Sequence, residues 1–211
     1  MCRQFVDALS VTGAAVSVFA GSMAETSVCA SDSIAARLDE LQFDLGEGPR
    51  WEAARTRVPV FVPRLQDDLQ PSWPVFATEV RGMAAEALFV FPLTIGALDI
   101  GVVELYCSWP GGLPVADQLM AAALADSMAW SLAGQLLNLD EKAAAESPKD
   151  ASPLARREIH QATGMVLVQA GITATEALLL LRSHAFSHGR TVRDVARDVV
   201  AKRIDFHPER S

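Results

Sequence analysis

Ala87-Leu88-Phe89-Val90-Phe91-Pro92-Leu93-Thr94-Ile95 runs through Gly96-Ala97 into Leu98-Asp99-Ile100-Gly101-Val102-Val103-Glu104-Leu105-Tyr106. Two apolar runs joined by a short glycine turn predict a pair of antiparallel strands. In the second run Val102, Glu104 and Tyr106 alternate with Val103, Leu105 and Cys107, the pattern of a strand with two different faces. Val11–Ala20 and Val58–Val62 read as further strands, and Gly46-Glu47-Gly48-Pro49 as a turn. After them comes Asp117–Leu139, a long helical stretch rich in Ala, Leu and Met. Strands paired by short turns and flanked by helices predict an α+β fold, an antiparallel sheet with helices packed on it.

The rest of the chain has different grammar. Ser147-Pro148-Lys149-Asp150-Ala151-Ser152-Pro153 collects residues that stop helices, so 141–153 reads as a linker between a first domain, 1–140, and a second, 154–211. Beyond it the punctuation is helical. Ser152 and Pro153 open one helix, which Gly171 ends. Thr173 with Glu176 forms a capping box for a second helix, closed by Gly189. Thr191 with Asp194 starts a third, which runs to about Lys202. Three short helices make a small all-α bundle, marginal alone.

Charge divides the same way. The 211 residues carry a net charge of −8, but Met1 to Ser152 holds nine Lys/Arg against twenty Asp/Glu, and Pro153 to Ser211 nine against six. All four histidines, His160, His184, His188 and His207, fall in the basic part. An acidic body with a basic helical tail points to a polyanionic partner for the tail. The three cysteines, Cys2, Cys29 and Cys107, are odd in number and widely spaced. They read as free thiols in a reducing compartment. No apolar stretch approaches the roughly 20 residues that span a bilayer, so no membrane is expected. The apolar run after Arg3 reads as a first helix plus a strand in preference to a signal peptide.

The ordered segments Ile159-His160-Gln161-Ala162-Thr163-Gly164-Met165-Val166-Leu167, Gly171 to Ala177, Leu180 to Ala185, and Gly189 to Ala196 with Val199-Val200 resemble ANTAR domains. Leu41 to Pro49, Pro59-Val60-Phe61, Trp73-Pro74-Val75-Phe76, Phe91-Pro92-Leu93 and Gly101 to Tyr106 are similar to the GAF domains of actinobacterial GAF–ANTAR proteins. The resemblance implies a cytoplasmic, non-enzymatic regulator. Its dimeric ANTAR output binds RNA stem-loops to control transcription termination, and its GAF-like part senses an unidentified small molecule or holds a homodimer. The RNA-contacting residues it points to are Gln161, Thr163, Arg182, Arg190, Arg193 and Arg197. Position 163 is commonly a lysine in the family, so Thr163 is a departure, which Arg156 and Arg157 are placed to offset.

Elementary chemistry bears on the same residues. Val192, Val195, Ala196 and Val199 share one helix face, and Arg190, Arg193 and Arg197 recur at spacings of three and four on another. That row suits phosphates or unpaired bases, although Asp194 and Asp198 could equally pair with it. Leu178, Leu181 and Ala185 form a core stripe, and Leu179 and Leu180 make that helix apolar nearly all round, as a helix buried on two sides would be.

No metal and no cofactor are expected. His184 and His188 have ligand spacing but lack obvious companions, and the first domain has no histidine to ligate haem or to activate Cys29 or Cys107. Glu47 reads as turn packing and Glu104 as a solvent-facing strand residue. Trp51, Trp73, Phe76 and Phe91 read as core. Two rival functions remain: a DNA-binding helix-turn-helix regulator, and a ligand-binding scaffold whose tail only dimerises.

Overall fold

A computed structural model describes residues 1–20, 24–67, 72–143 and 156–207. The chain divides into two compact units, Met1–Phe19 with Thr26–Leu154, and Ala20–Glu25 with Ala155–Ser211. The elements are, in order, α1 (Cys2–Ala8), β1 (Gly13–Ala20), β2 (Ala24–Ala30), α2 (Ser33–Leu45), α3 (Pro49–Thr56), β3 (Val60–Val62), α4 (Pro74–Glu79), β4 (Ala87–Ile95), β5 (Leu98–Cys107), α5 (Val115–Ala143), α6 (Arg157–Ala170), α7 (Ala174–Ser187) and α8 (Val192–Val200).

The sheet order is β2-β1-β5-β4-β3. The quoted stretch forms its centre: β4 and β5 pair antiparallel from Ala87↔Cys107 to Ile95↔Leu98, and β1 and β3 add antiparallel on either side. Both faces are covered, and strand alternation decides which residue meets which layer. Ala87, Phe89, Phe91, Leu93, Val103 and Leu105 join Phe5 of α1 and Ala125, Met128 and Leu132 of α5 in one core. Leu88, Val90, Val102 and Tyr106 pack with Leu38 and Leu41 of α2, Ala53 of α3 and Phe76 of α4 in the other. The α+β fold with an antiparallel sheet flanked by helices is therefore as expected, and the residues read as core, Trp73, Phe76 and Phe91, are buried.

Four readings are corrected. Cys2 and Cys29 form a disulfide, their Cα atoms 6.0 Å apart; α1 and β2 bring together thiols that 27 positions of sequence separate. Cys107 is the free, buried cysteine. Glu104 is not solvent-facing: it is 3% exposed, because its face of β5 lies under α2 and α3. The helix read as ending at Leu139 continues to Ala143, so positions 141–143 are helical. The proposed linker otherwise falls on residues 144–153, outside the described residues, and the helix expected to open at Ser152 and Pro153 starts instead at Arg157, with Arg156 at its N-cap.

Candidate nucleic-acid interface

The second unit is a mutual packing of α6, α7 and α8. Its turns follow the sequence signals. Gly171 ends α6 in the left-handed region, at φ 67°, where a side chain would be strained. Thr173 and Glu176 make both bonds of the capping box, and Thr191 accepts from the amide of Asp194 at the start of α8. The core between the helices is Ile159, Ala162 and Val166 from α6, Ala177, Leu181 and Ala185 from α7, and Val192, Val195, Ala196 and Val199 from α8. On α7 the stripe runs through Ala177 in place of Leu178, and Leu179 is left 61% exposed.

Only Arg193 and Arg197 of the cationic row lie on α8; Arg190 precedes its N-cap, Thr191. Arg190 and Arg197 are exposed and Arg193 is half-buried beside the apolar face. Each outer arginine has an acidic neighbour: Arg190 donates to Asp198 at 2.6 Å and Arg197 to Asp194 at 3.1 Å. Arg203, which sequence reasoning passed over, donates to the other oxygen of Asp198 at 2.7 Å. Hydrogen bonds from Arg190 and Arg203 hold the Asp198 carboxyl below the usual carboxylate range. The signal for Arg203 was available, since residues 190–205 hold five Lys/Arg against three Asp. Asp198 and Asp194 are thus the partners of Arg190, Arg203 and Arg197, the pairing that the sequence offered as the alternative use of the row.

The other indicated residues divide. Gln161 is exposed on α6 and Arg182 half-buried on α7. Thr163 is turned inward: it is 6% exposed, and its hydroxyl donates to the Ile159 carbonyl at 2.8 Å. His184 and His188 stack ring on ring at 4.2 Å, with Phe206 edge-on to His184. Burial, then the charges of His188 and Arg190, push the His184 pKa down. Burial, then Arg156, does the same to His160.

Residues 151–200 match the family model described as the ANTAR domain. The chain carries an ANTAR domain. Its three helices are the ones described above, and the order of antiparallel-sheet unit and then ANTAR domain agrees with the GAF–ANTAR architecture that the sequence resembles. No curated protein matches the sequence. Among solved structures, the chain is similar to the GAF domain of a two-component sensor histidine kinase from Bacillus halodurans (13% identity, TM-score 0.49, covering 64% of this chain and 93% of that one). It is also similar to the GAF domain of the cyanobacteriochrome TePixJ (19%, 0.49, 64% and 85%). A third is the type II free methionine-R-sulfoxide reductase from Thermoplasma acidophilum (14%, 0.48, 62% and 86%).

Upstream of the ANTAR domain, one buried polar cluster had gone unnoticed in the sequence. Arg50 is fully buried in the first unit. Its Nε donates to Glu104 at 2.8 Å, and its guanidinium also pairs with Asp39. Gln42 donates to Glu104 at 2.7 Å and accepts from the Arg50 amide at 2.8 Å. The Ser17 hydroxyl donates to Asp39. The cluster ties α2, α3, β1 and β5 together. No single helix among the described residues is long and apolar enough to cross a membrane; α6 with α7 passes that test only as a pair bent by 105°.

Proposed function

We propose that the chain is a non-enzymatic, RNA-binding transcription antitermination regulator. In this reading the ANTAR domain is the output and the sheet unit senses a small molecule or supports dimerisation. The ANTAR match carries the reading, and the arginines on and beside α8 give it a physical basis. Arg193 and Arg197 on α8, with Arg190 just before it and Arg203 just after it, can meet phosphates, and their planar groups can also stack on unpaired loop bases. The contact set is Gln161, Arg182, Arg190, Arg193 and Arg197, with Arg203 added. Thr163 takes a packing role on α6. A cytoplasmic location belongs to the same proposal, because nascent transcripts are met there.

Dimerisation is part of the proposal as well. Val168, Leu179 and Phe186 are exposed on the ANTAR helices, and Leu119, Met120 and Trp130 on α5. Large apolar side chains left in solvent are what an association surface presents. Binding of the full chain to a two-hairpin RNA tests the function, with a duplex DNA of equal length at matched salt as the control. Preference for the hairpins is expected; preference for the duplex would favour a helix-turn-helix regulator.

A further inference from the structure

The turn between α2 and α3 opens onto a cavity of about 370 Å³, within the size range of small-molecule sites. Glu47, Trp51, Glu52, Arg55 and Trp73 line it. Two carboxylates and two indoles around one hollow are an unusual combination, and the fold holds each of them in place.

Trp51 donates its indole N–H to the Gln42 carbonyl at 2.7 Å. Trp73 donates its own to Glu52 at 3.0 Å. Glu47 accepts from the Phe76 amide at 2.7 Å. Gly48, between α2 and α3, sits at φ 127° with the Gln42 side chain 2.7 Å from where a Cβ would be. The wall is thereby fixed to Gln42, a member of the buried Arg50 cluster. Each glutamate spends one carboxylate oxygen on its bond, and the second oxygen of each accepts no hydrogen bond among the described residues. Glu47 and Glu52 are half-buried, whereas Arg55 is exposed. The lining carries two negative charges against one positive, and the negative pair is the less hydrated.

We propose that this cavity binds a small organic cation, an alkylammonium or quaternary ammonium compound. Half-buried carboxylates attract a cation more strongly than exposed ones do. Trp51 stacks on Phe19 and Trp73 packs edge-on to Phe76, so the two indoles are held rigidly beside the cavity; indole is the strongest aromatic partner for such a group, and a methylated ammonium also gains by leaving water for an apolar wall. A hard metal ion fits poorly, since calcium seeks six to eight oxygen ligands and half of the chemistry here is aromatic. Anions are repelled by the net charge. The inference names a ligand class for the small-molecule sensing proposed for the sheet unit and rests on that part of the reading, while it is independent of RNA binding and uses only the first unit.

The test titrates the full-length protein with tetramethylammonium and with ethylammonium chloride, by calorimetry and tryptophan fluorescence, sodium being exchanged to hold ionic strength constant. Calcium chloride and sodium acetate are parallel arms. Saturable binding of an ammonium probe is expected, with neither calcium nor acetate competing. Glu52→Gln and Trp51→Leu should each weaken it at least about fivefold, with circular dichroism confirming the fold. Exposed Arg55→Ala removes the repelling charge without touching a structural bond of the cavity, and should tighten binding. No saturable binding by the folded wild type, displacement of the ammonium probe by calcium, or weaker binding in Arg55→Ala would each overturn the proposal.

Discussion

Replacing Arg50 by methionine gives the sharpest test of how the sheet unit is held together. The guanidinium is fully buried, and the two carboxylates it pairs with are 5% and 3% exposed. Methionine keeps much of the aliphatic volume but supplies no donor, leaving Asp39 and Glu104 buried without their cation. Truncating one partner of a buried ion pair costs about 3–5 kcal/mol, and two charge-assisted bonds at roughly 1.5–3 kcal/mol each lead to the same range. About 4 kcal/mol is a large share of the 5–15 kcal/mol typical of a domain. The assay is clean because all four tryptophans, Trp51, Trp73, Trp109 and Trp130, lie in the first unit. Urea unfolding followed by their fluorescence therefore reports on that unit alone. With a slope of about 2 kcal/mol per molar urea, the midpoint should fall by about 2 M at unchanged slope. A fall of under about 0.5 M, the size expected of an exposed pair, would refute the reasoning.

Other consequences follow from particular contacts. Tyr106 is the only tyrosine, and burial, reinforced by the charge and hydrogen bond of Asp32, pushes its pKa up to about 12. Ultraviolet titration of the native protein should find one phenol ionising well above the ordinary value of about 10, and Asp32→Asn should bring it down. Because the folded value is the raised one, the stability this phenol contributes is present below about pH 10 and is lost as the pH climbs through 12. In the ANTAR domain, Thr173→Ala removes the cap of α7 and should cost about 1 kcal/mol. Leu181→Ala, at a fully buried site, should cost about 2–5 kcal/mol, enough to unfold so small a bundle; far-ultraviolet circular dichroism reads both. Reducing the Cys2–Cys29 bond frees a long loop in the unfolded state and should lower the first unit's stability by about 3 kcal/mol. Fluorescence melts with and without dithiothreitol check this.

The parts of the fold legible in the sequence are those dictated by local chemistry. The β4–β5 hairpin follows from alternation around Gly96-Ala97, and the α7 and α8 starts from Thr173/Glu176 and Thr191/Asp194. The buried face of α8 follows from 3.6-residue periodicity in Val192, Val195, Ala196 and Val199. What stayed hidden depends on distant partners. Glu104 looks like a surface strand residue until Arg50, 54 positions away, is found beneath it. Cys2 and Cys29 look unrelated until α1 is laid near β2. Strand β2 and the short helices α3 and α4 went unread because Ala24–Ala30, Pro49–Thr56 and Pro74–Glu79 are too short or too mixed to show a period. Thr163 was read at its sequence position, where the family commonly has a lysine. Its inward hydroxyl is a property of the α6 backbone that composition does not reveal.

The central claim is that the arginines on and beside α8 bind RNA. It is tested most directly by measuring the affinity of the full chain for a two-hairpin RNA at several salt concentrations, beside an Arg190→Glu/Arg193→Glu variant. The account predicts that affinity falls steeply with rising salt in the wild type, and that the variant loses most of the binding and much of the salt slope while keeping its helical circular dichroism. Equal binding by a folded variant, or no binding by the wild type even at low salt, would contradict it.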